Sequence, residues 1–219
     1  MIRHLVWDWN GTLFDDQEVV TQATNASLLA VGVTRRITAL EYQRDYRRPI
    51  DLFYQDLVGR PVTPDEWPLL DAAFQAHYRE FMHTCGLNRE ALSAMDGWLP
   101  RTQSLLSMFG HDELLTITEA FGLQARFGRI DGRPPQTDFG SKDRHLVRHL
   151  GELRRVDPSL AAEEVALIGD SLDDAHAAAH VGAVAVLYTG GSSSRAVLET
   201  AGVPVVDSLS EAVSLLADR

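Results

Sequence analysis

Residues 164–188 read EVALIGDSLDDAHAAAHVGAVAVLY. An apolar run, EVALIG, breaks at Gly169-Asp170, gives way to a helical segment, DDAHAAAHVG, and is followed by a second apolar run, AVAVLY. Two such runs joined by a helix predict a parallel strand pair with a helical crossover. The rhythm extends in both directions from about Gly97. TQSLLSM precedes a helix through ELLTITEAFGL, and ARFGRI precedes DRHLVRHLGEL. Beyond AVAVLY come SRAVLETAG, VPVV and SEAVSLLADR. This alternation implies a parallel sheet with helices on both faces. The opening run, Ile2 to Trp9, stops at Asn10-Gly11 and reads as a buried strand that completes the same sheet.

Between these parts the texture is helical throughout. Val19, Val20, Ala23, Ser27 and Leu28 share one face, and Gly32 ends that segment. Thr38 and Glu41 form a capping-box pattern, with Pro49 as the limit of the second helix. Thr63-Pro64-Asp65-Glu66 marks a third start, and Leu70, Phe74, His77, Phe81 and Cys85 fall on one stripe of the helix that follows. The predicted architecture is α/β: a Rossmann-like, three-layer core of residues 1–15 plus 96–219, with an α-helical cap domain, 16–95, inserted after the first strand.

Composition excludes several classes. The chain has 219 residues, 45% hydrophobic and 23% charged, the mix of an ordinary globular protein. No apolar run approaches the roughly 18 residues of a membrane span. The first residues, MIRHLVWDWNGTL, carry no apolar core followed by a small-residue cleavage site, so no secretion is expected. The single cysteine, Cys85, fits a cytoplasmic location. A net charge of −11, with no basic cluster, argues against nucleic acid as a partner, and no membrane partner is expected either. Of the 20 basic residues one is lysine, Lys142, and the remainder are arginine. The oligomeric state is left open.

Ligands of open α/β sheets bind at the carboxyl ends of the strands. After the first predicted strand stands Asp8, after the second Ser107, before a later helix Lys142, and after the fourth Asp170-Ser171-Leu172-Asp173-Asp174. Carboxylates on two loops suit Mg²⁺, which takes a few carboxylate oxygens together with water and phosphate oxygens. A hydroxyl and an ammonium can hold the other phosphoryl oxygens. Asp8 is then the candidate nucleophile, because an aspartate can accept a phosphoryl group as an acyl phosphate.

In these residues the chain resembles the haloacid dehalogenase superfamily, in the branch with a helical cap inserted after the first motif. Asp8-Trp9-Asn10-Gly11-Thr12-Leu13 matches the motif DxDGT except at its second acid, Ser107 meets the second motif, Lys142 the third, and Gly169-Asp170 with Asp174 the fourth. The resemblance implies that Asp8 attacks phosphorus, Thr12 braces the first loop, and Ser107 and Lys142 bind phosphoryl oxygens. It implies Mg²⁺ held by Asp8, the backbone carbonyl of Asn10, Asp170 and Asp174. The expected activity is that of a phosphatase, phosphoglycolate phosphatase-like, acting on a small phosphorylated metabolite.

Asn10 stands where the family's phosphatases carry the aspartate that protonates the leaving group, and an amide carries no titrating proton. Three readings follow. The chain hydrolyses esters with another acid such as Asp15, Asp16 or His111, or with leaving groups that need no proton; it performs other chemistry on this scaffold; or it binds phosphate or a metabolite without turnover. Arg47 and Arg48, before Pro49, are candidate substrate contacts, against the alternative of surface arginines. Asp173 reads as a surface acid, His176 and His180 as ordinary helix residues, Trp7 and Trp9 as packing, and Gly190–Ser194 as a strand-to-helix link near the site.

Overall fold

The computed structural model describes residues 1–134 and 141–218; the remainder of the Gly/Pro-rich connection before Lys142 lies outside the described residues. In chain order the elements are β1 (His4–Trp7), β2 (Phe14–Asp15), α1 (Gln17–Ala30), α2 (Ala39–Asp45), α3 (Ile50–Val58), α4 (Trp67–Phe81), β3 (Gly86–Leu87) and α5 (Ala91–Trp98). There follow β4 (Thr102–Gly110), α6 (His111–Ala120), β5 (Ile130–Arg133), α7 (Lys142–Val156), β6 (Val165–Gly169), α8 (Leu172–Val181), β7 (Val184–Tyr188), α9 (Arg195–Leu198), β8 (Val205–Val206) and α10 (Leu209–Ala217).

Six strands form one sheet in the order β5-β4-β1-β6-β7-β8, every neighbouring pair parallel. The α/β architecture is therefore as the alternation predicted. Central strand β1 is buried on both faces, and its side chains alternate between two cores. Leu5 and Trp7 pack with α5 and α10 through Met95, Trp98, Leu209 and Leu216. Val6 packs on the other face with Leu146 and Leu150 of α7 and Ala175 and Ala178 of α8. Trp7 lies opposite both Leu105 of β4 and Ile168 of β6, so the residues just beyond these three strands share one edge.

The helices α1 to α4 have a separate core of Leu28, Tyr42, Phe53, Tyr54, Leu57 and Leu70. The antiparallel pair Phe14–Leu87 and Asp15–Gly86 ties together the chain where it leaves and re-enters the sheet layer. This moves one expected boundary. Residues 86–95 were read as part of the helical insertion, but Ala91, Ala94 and Met95 of α5 are buried in the sheet's own core against α10. The apolar face of α5 carries no mark of which core it joins. Two further elements start later than their patterns suggest. ARFGRI begins with a 3₁₀ turn at Gln124–Arg126, and β5 starts only at Ile130. Thr63 and Glu66 exchange the hydrogen bonds of a capping box, at 3.0 and 3.3 Å, yet close a turn before α4 begins at Trp67. Pro68, with no N–H to donate, sits where the first helical turn needs none.

Under α7 runs a buried polar chain. Asp131 accepts from His149 at 2.7 Å, whose other nitrogen meets Ser104 at 2.7 Å, and Ser104 meets His4 at 2.7 Å. Burial pushes His4 down to about 4 and lowers His149 as well, so both are neutral in the fold. The unfolded chain takes up these protons below about 6.5, whereas the folded chain does not, so stability is full above that pH and is lost as pH falls toward 4. His4 alone is expected to remove up to about 3 kcal/mol between pH 7 and pH 4. Guanidinium titrations at the two pH values, compared with the same pair on His4→Gln, measure this; an equal acid loss in both proteins contradicts it.

Candidate active site

Asp8, Asn10, Ser107, Lys142, Asp170 and Asp174 converge on one cavity of about 700 Å³ between the sheet edge and the helical insertion. The backbone turn after β1 makes this possible. Gly11 adopts φ +70°, and a Cβ there would lie 2.4 Å from the Asp170 carboxylate, so only glycine lets the two loops approach. Gly191 plays the same part on the other side, where a Cβ would meet Asp170 at 2.1 Å. The loop containing Gly191 donates the Ser192 backbone N–H to Asp170.

Asp8 is buried and bonded to the Lys142 ammonium, which also donates to Asp174 at 2.6 Å. The second oxygen of Asp174 is held by Ser171, through its hydroxyl at 2.6 Å and its backbone N–H at 3.1 Å. Carboxylate oxygens of Asp8, Asp170 and Asp174 lie within 4.8 Å of one another. Among the described residues this is the one group of three side chains placed to hold a metal ion. Burial pushes Asp8 up to about 6 against the pull of Lys142, and burial with the nearby Asp8 and Asp174 raises Asp170 well above the ordinary value. Lys142 is raised: burial opposes its charge, but Asp174 and Asp8 outweigh that cost and keep it protonated. Three buried carboxylates facing one lysine form an all-oxygen site with an excess of negative charge, which fits a small hard cation.

Asn10 is held by a network of its own. Its Nδ2 donates to Asp16 at 2.7 Å and to the Tyr78 hydroxyl at 2.8 Å, while its Oδ1 accepts from Ser107 at 3.3 Å. Tyr78 itself donates to Asp16 at 2.6 Å, and the Gly11 backbone N–H donates to the other Asp16 oxygen at 2.9 Å. Burial raises the Asp16 pKa against these three donors. The sequence offers Asp16 only as a candidate acid and does not single out Tyr78. Tyr78 follows Phe74 by four residues and stacks on it at 5.8 Å, so helical spacing alone could have pointed to it.

Other expected residues fall elsewhere. Thr12 is buried beneath the site with its hydroxyl 3.5 Å from Asp8, which suits a brace of the first loop, and it is absent from the cavity wall, so it does not serve as a substrate-binding residue. Arg47 points away and pairs with Asp56 at 2.5 Å on the outside of the insertion, whereas Arg48 lines the cavity. Adjacent residues in an extended stretch face opposite ways, and here the docking of the insertion selects the second. Asp173 is no surface acid: it accepts from the Lys142 backbone at 3.2 Å and lies 3.5 Å from Arg48. Asp15 is exposed and outside the cavity wall, and His111 Nδ1 accepts from the Gly132 backbone at 3.1 Å. Of the three alternative acids, Asp16 alone reaches the cavity. His176 and His180 are exposed on α8. Trp7 and Trp9 are buried, Trp9 stacked on Phe14 at 5.1 Å. No helix among the described residues is long and apolar enough to cross a membrane.

Comparison with known proteins places this geometry. Residues 143–212 match the family model described as HAD-hydrolase-like. No curated protein sequence matches the chain. Among solved structures, a predicted phosphatase from Clostridium acetobutylicum is 15% identical, with full coverage of both chains and a TM-score of 0.83. A haloacid dehalogenase-like family hydrolase from Streptococcus pneumoniae is 15% identical over 98% of each chain, with a TM-score of 0.78. A predicted phosphoglycolate phosphatase from Haemophilus somnus is 15% identical over 98% of this chain and 97% of that one, with a TM-score of 0.74. The C-terminal part of the chain thus matches a HAD-hydrolase-like family model, and the whole chain shares its fold with haloacid dehalogenase-like hydrolases and phosphatases.

Proposed function

We propose that the protein is a Mg²⁺-dependent phosphatase of a small phosphorylated metabolite that works through phosphoryl transfer to Asp8. The observation that carries this is the Asp8 carboxylate itself, buried at the sheet edge, open to the cavity, bonded to Lys142 and within reach of Asp170 and Asp174. Asp8 attacks phosphorus, the ester P–O bond breaks, and the alkoxide leaves with the electron pair and takes its proton from solvent. Lys142 and Ser107 bind the phosphoryl oxygens, while Thr12 steadies Asp8 from below. Water then attacks the phosphorus of the acyl phosphate, releasing phosphate and regenerating Asp8. Mg²⁺ would be held by Asp8, Asp170, Asp174 and the Asn10 carbonyl, and would supply neutralisation of phosphoryl charge. The helical insertion covers the site, and we take residues 16–85 as its cap.

Asn10 sets the balance of the two steps. Because Asp16 can only accept, Nδ2 must face it, and Oδ1 is left to Ser107 and the cavity. The amide can orient a water molecule but cannot take its proton. Asp16 anchors that amide through oxygens that already accept from three donors. The acyl phosphate is therefore expected to form faster than it is hydrolysed. Acid quenching after incubation with labelled acetyl phosphate and Mg²⁺ should recover label on Asp8 in a substantial fraction of the protein, and none in Asp8→Asn. Absence of label with every donor, together with stabilisation against melting by phosphate, would instead identify a binding protein without turnover.

A further inference from the structure

The cavity is larger than a two-carbon phosphate ester requires. Its volume of about 700 Å³ falls in the range of about 300–1,000 Å³ typical of sites for drug-sized ligands. Asp8 and its partners occupy one end of it, and the helical insertion lines the other with aromatic rings. Tyr46 stacks on Tyr42 at 5.1 Å, Phe53 meets both edge-on at 5.5 and 5.2 Å, and Tyr54 and Trp67 continue the row at 5.8 and 5.7 Å. On α4, Phe74 faces the same cavity. Tyr46, Trp67 and Phe74 are half-buried residues of the cavity lining.

The two arginines that the helical insertion contributes to the lining are already engaged with carboxylates. Arg48 interacts with the Tyr46 hydroxyl and lies 3.5 Å from Asp173, and Arg79 pairs with Glu113 at 2.8 Å. A carboxylate such as that of phosphoglycolate would lose hydration among the rings and would have to compete with Asp173 or Glu113 for a partner. A flat aromatic group against the rings would need no such partner there, and ring stacking would favour it. Tyr42, Tyr46 and Gln75, which carry polar groups, line the cavity beside the rings.

Resting on the phosphatase reading, we propose that the substrate is a phosphate monoester of an aromatic alcohol of about nucleoside size, with its phosphoryl group at Asp8 and its ring system against the Tyr42–Tyr46–Trp67 row. The test compares rates of acid-stable labelling of Asp8, with Mg²⁺, for nucleoside 5′-monophosphates, naphthyl phosphate, phosphoglycolate and glycerol 3-phosphate, with acetyl phosphate as a donor that has no leaving ring. The aromatic esters are expected to label at least about tenfold faster than the two small esters at limiting concentration. An advantage of the nucleotides over naphthyl phosphate identifies a base; an advantage of naphthyl phosphate that is lost in Trp67→Leu identifies a bare ring, and one that persists there reflects only its better leaving group. In Trp67→Leu the ratio of aromatic to small esters should fall about tenfold, and in Trp67→Phe it should be largely retained. Labelling by acetyl phosphate with no preference for the aromatic esters overturns this inference alone. Failure of every donor overturns the phosphatase reading, and adenosine binding then decides the subsite. Quenching of tryptophan fluorescence by adenosine that is lost in Trp67→Leu supports the aromatic site, and no quenching overturns it.

Discussion

Asn10→Asp should raise the steady-state hydrolysis of simple phosphate monoesters by about 10²- to 10⁴-fold, the usual contribution of a positioned general acid or base. The local geometry favours a large gain. The new carboxyl would take the place of an amide whose nitrogen lies 2.7 Å from the Asp16 carboxylate. Two carboxylates at that separation cannot both ionise, so the pair must share a proton. Burial already raises Asp16, and the Tyr78 hydroxyl remains to donate to whichever oxygen is charged. A carboxyl kept protonated near neutral pH is the group that a leaving alkoxide needs. The second step gains as well, because the carboxylate left behind can take a proton from water. The level of labelled Asp8 in the steady state should therefore fall as turnover rises. Phosphate release and acid-quench labelling, measured on the same preparations, check both halves. If turnover is unchanged, the missing carboxyl is not what limits this site.

Lys142→Met is expected to cost about 3–5 kcal/mol of stability in the absence of divalent metal, the usual result of removing one partner from a buried ionic cluster. Lys142 is 2% exposed and is bonded to both Asp8 and Asp174. Without it, these two carboxylates and the neighbouring Asp170 retain no buried cation among their hydrogen-bond partners in the described residues. Guanidinium unfolding midpoints should show the loss, and millimolar Mg²⁺ should recover more stability in the variant than in the parent, because the ion would replace part of the missing charge. Lys142→Arg tests geometry apart from charge. A planar fork has no room between two carboxylates that a single ammonium bridges, so labelling of Asp8 should slow by about tenfold or more although the charge is kept. A loss below about 1 kcal/mol in Lys142→Met, or no difference in its response to Mg²⁺, would remove Lys142 from the centre of the site.

Both predictions depend on contacts of different kinds, and the sequence exposes them unequally. Asp8, Ser107 and Asp170 were legible because each follows a short apolar run, and parallel strands in register must bring their ends to one edge. Turn chemistry at Asn10-Gly11 and at Gly169-Asp170 is equally local. The acid excess in residues 96–219, net −7, also shows in the chain before any fold is built.

What remained hidden depends on how two separately packed cores sit against each other. Tyr78 reaches Asp16 and Asn10 across 62 and 68 residues of chain, and nothing in the helix that carries it announces those partners. Arg48 rather than Arg47, and Asp173 as a half-buried acid of the cavity wall rather than a surface one, follow from the same docking, since each takes its partner from the opposite layer. Helix α5 joins the sheet's core instead of the insertion because α10, more than a hundred residues later, offers the matching apolar face. Periodicity and turn residues act within a few positions, and they determined the parallel sheet and the edge where Asp8, Lys142 and the acidic loop meet. The direction of each side chain across the cavity, and with it the clamped amide of Asn10 and the aromatic wall, was decided only when the insertion closed over that edge.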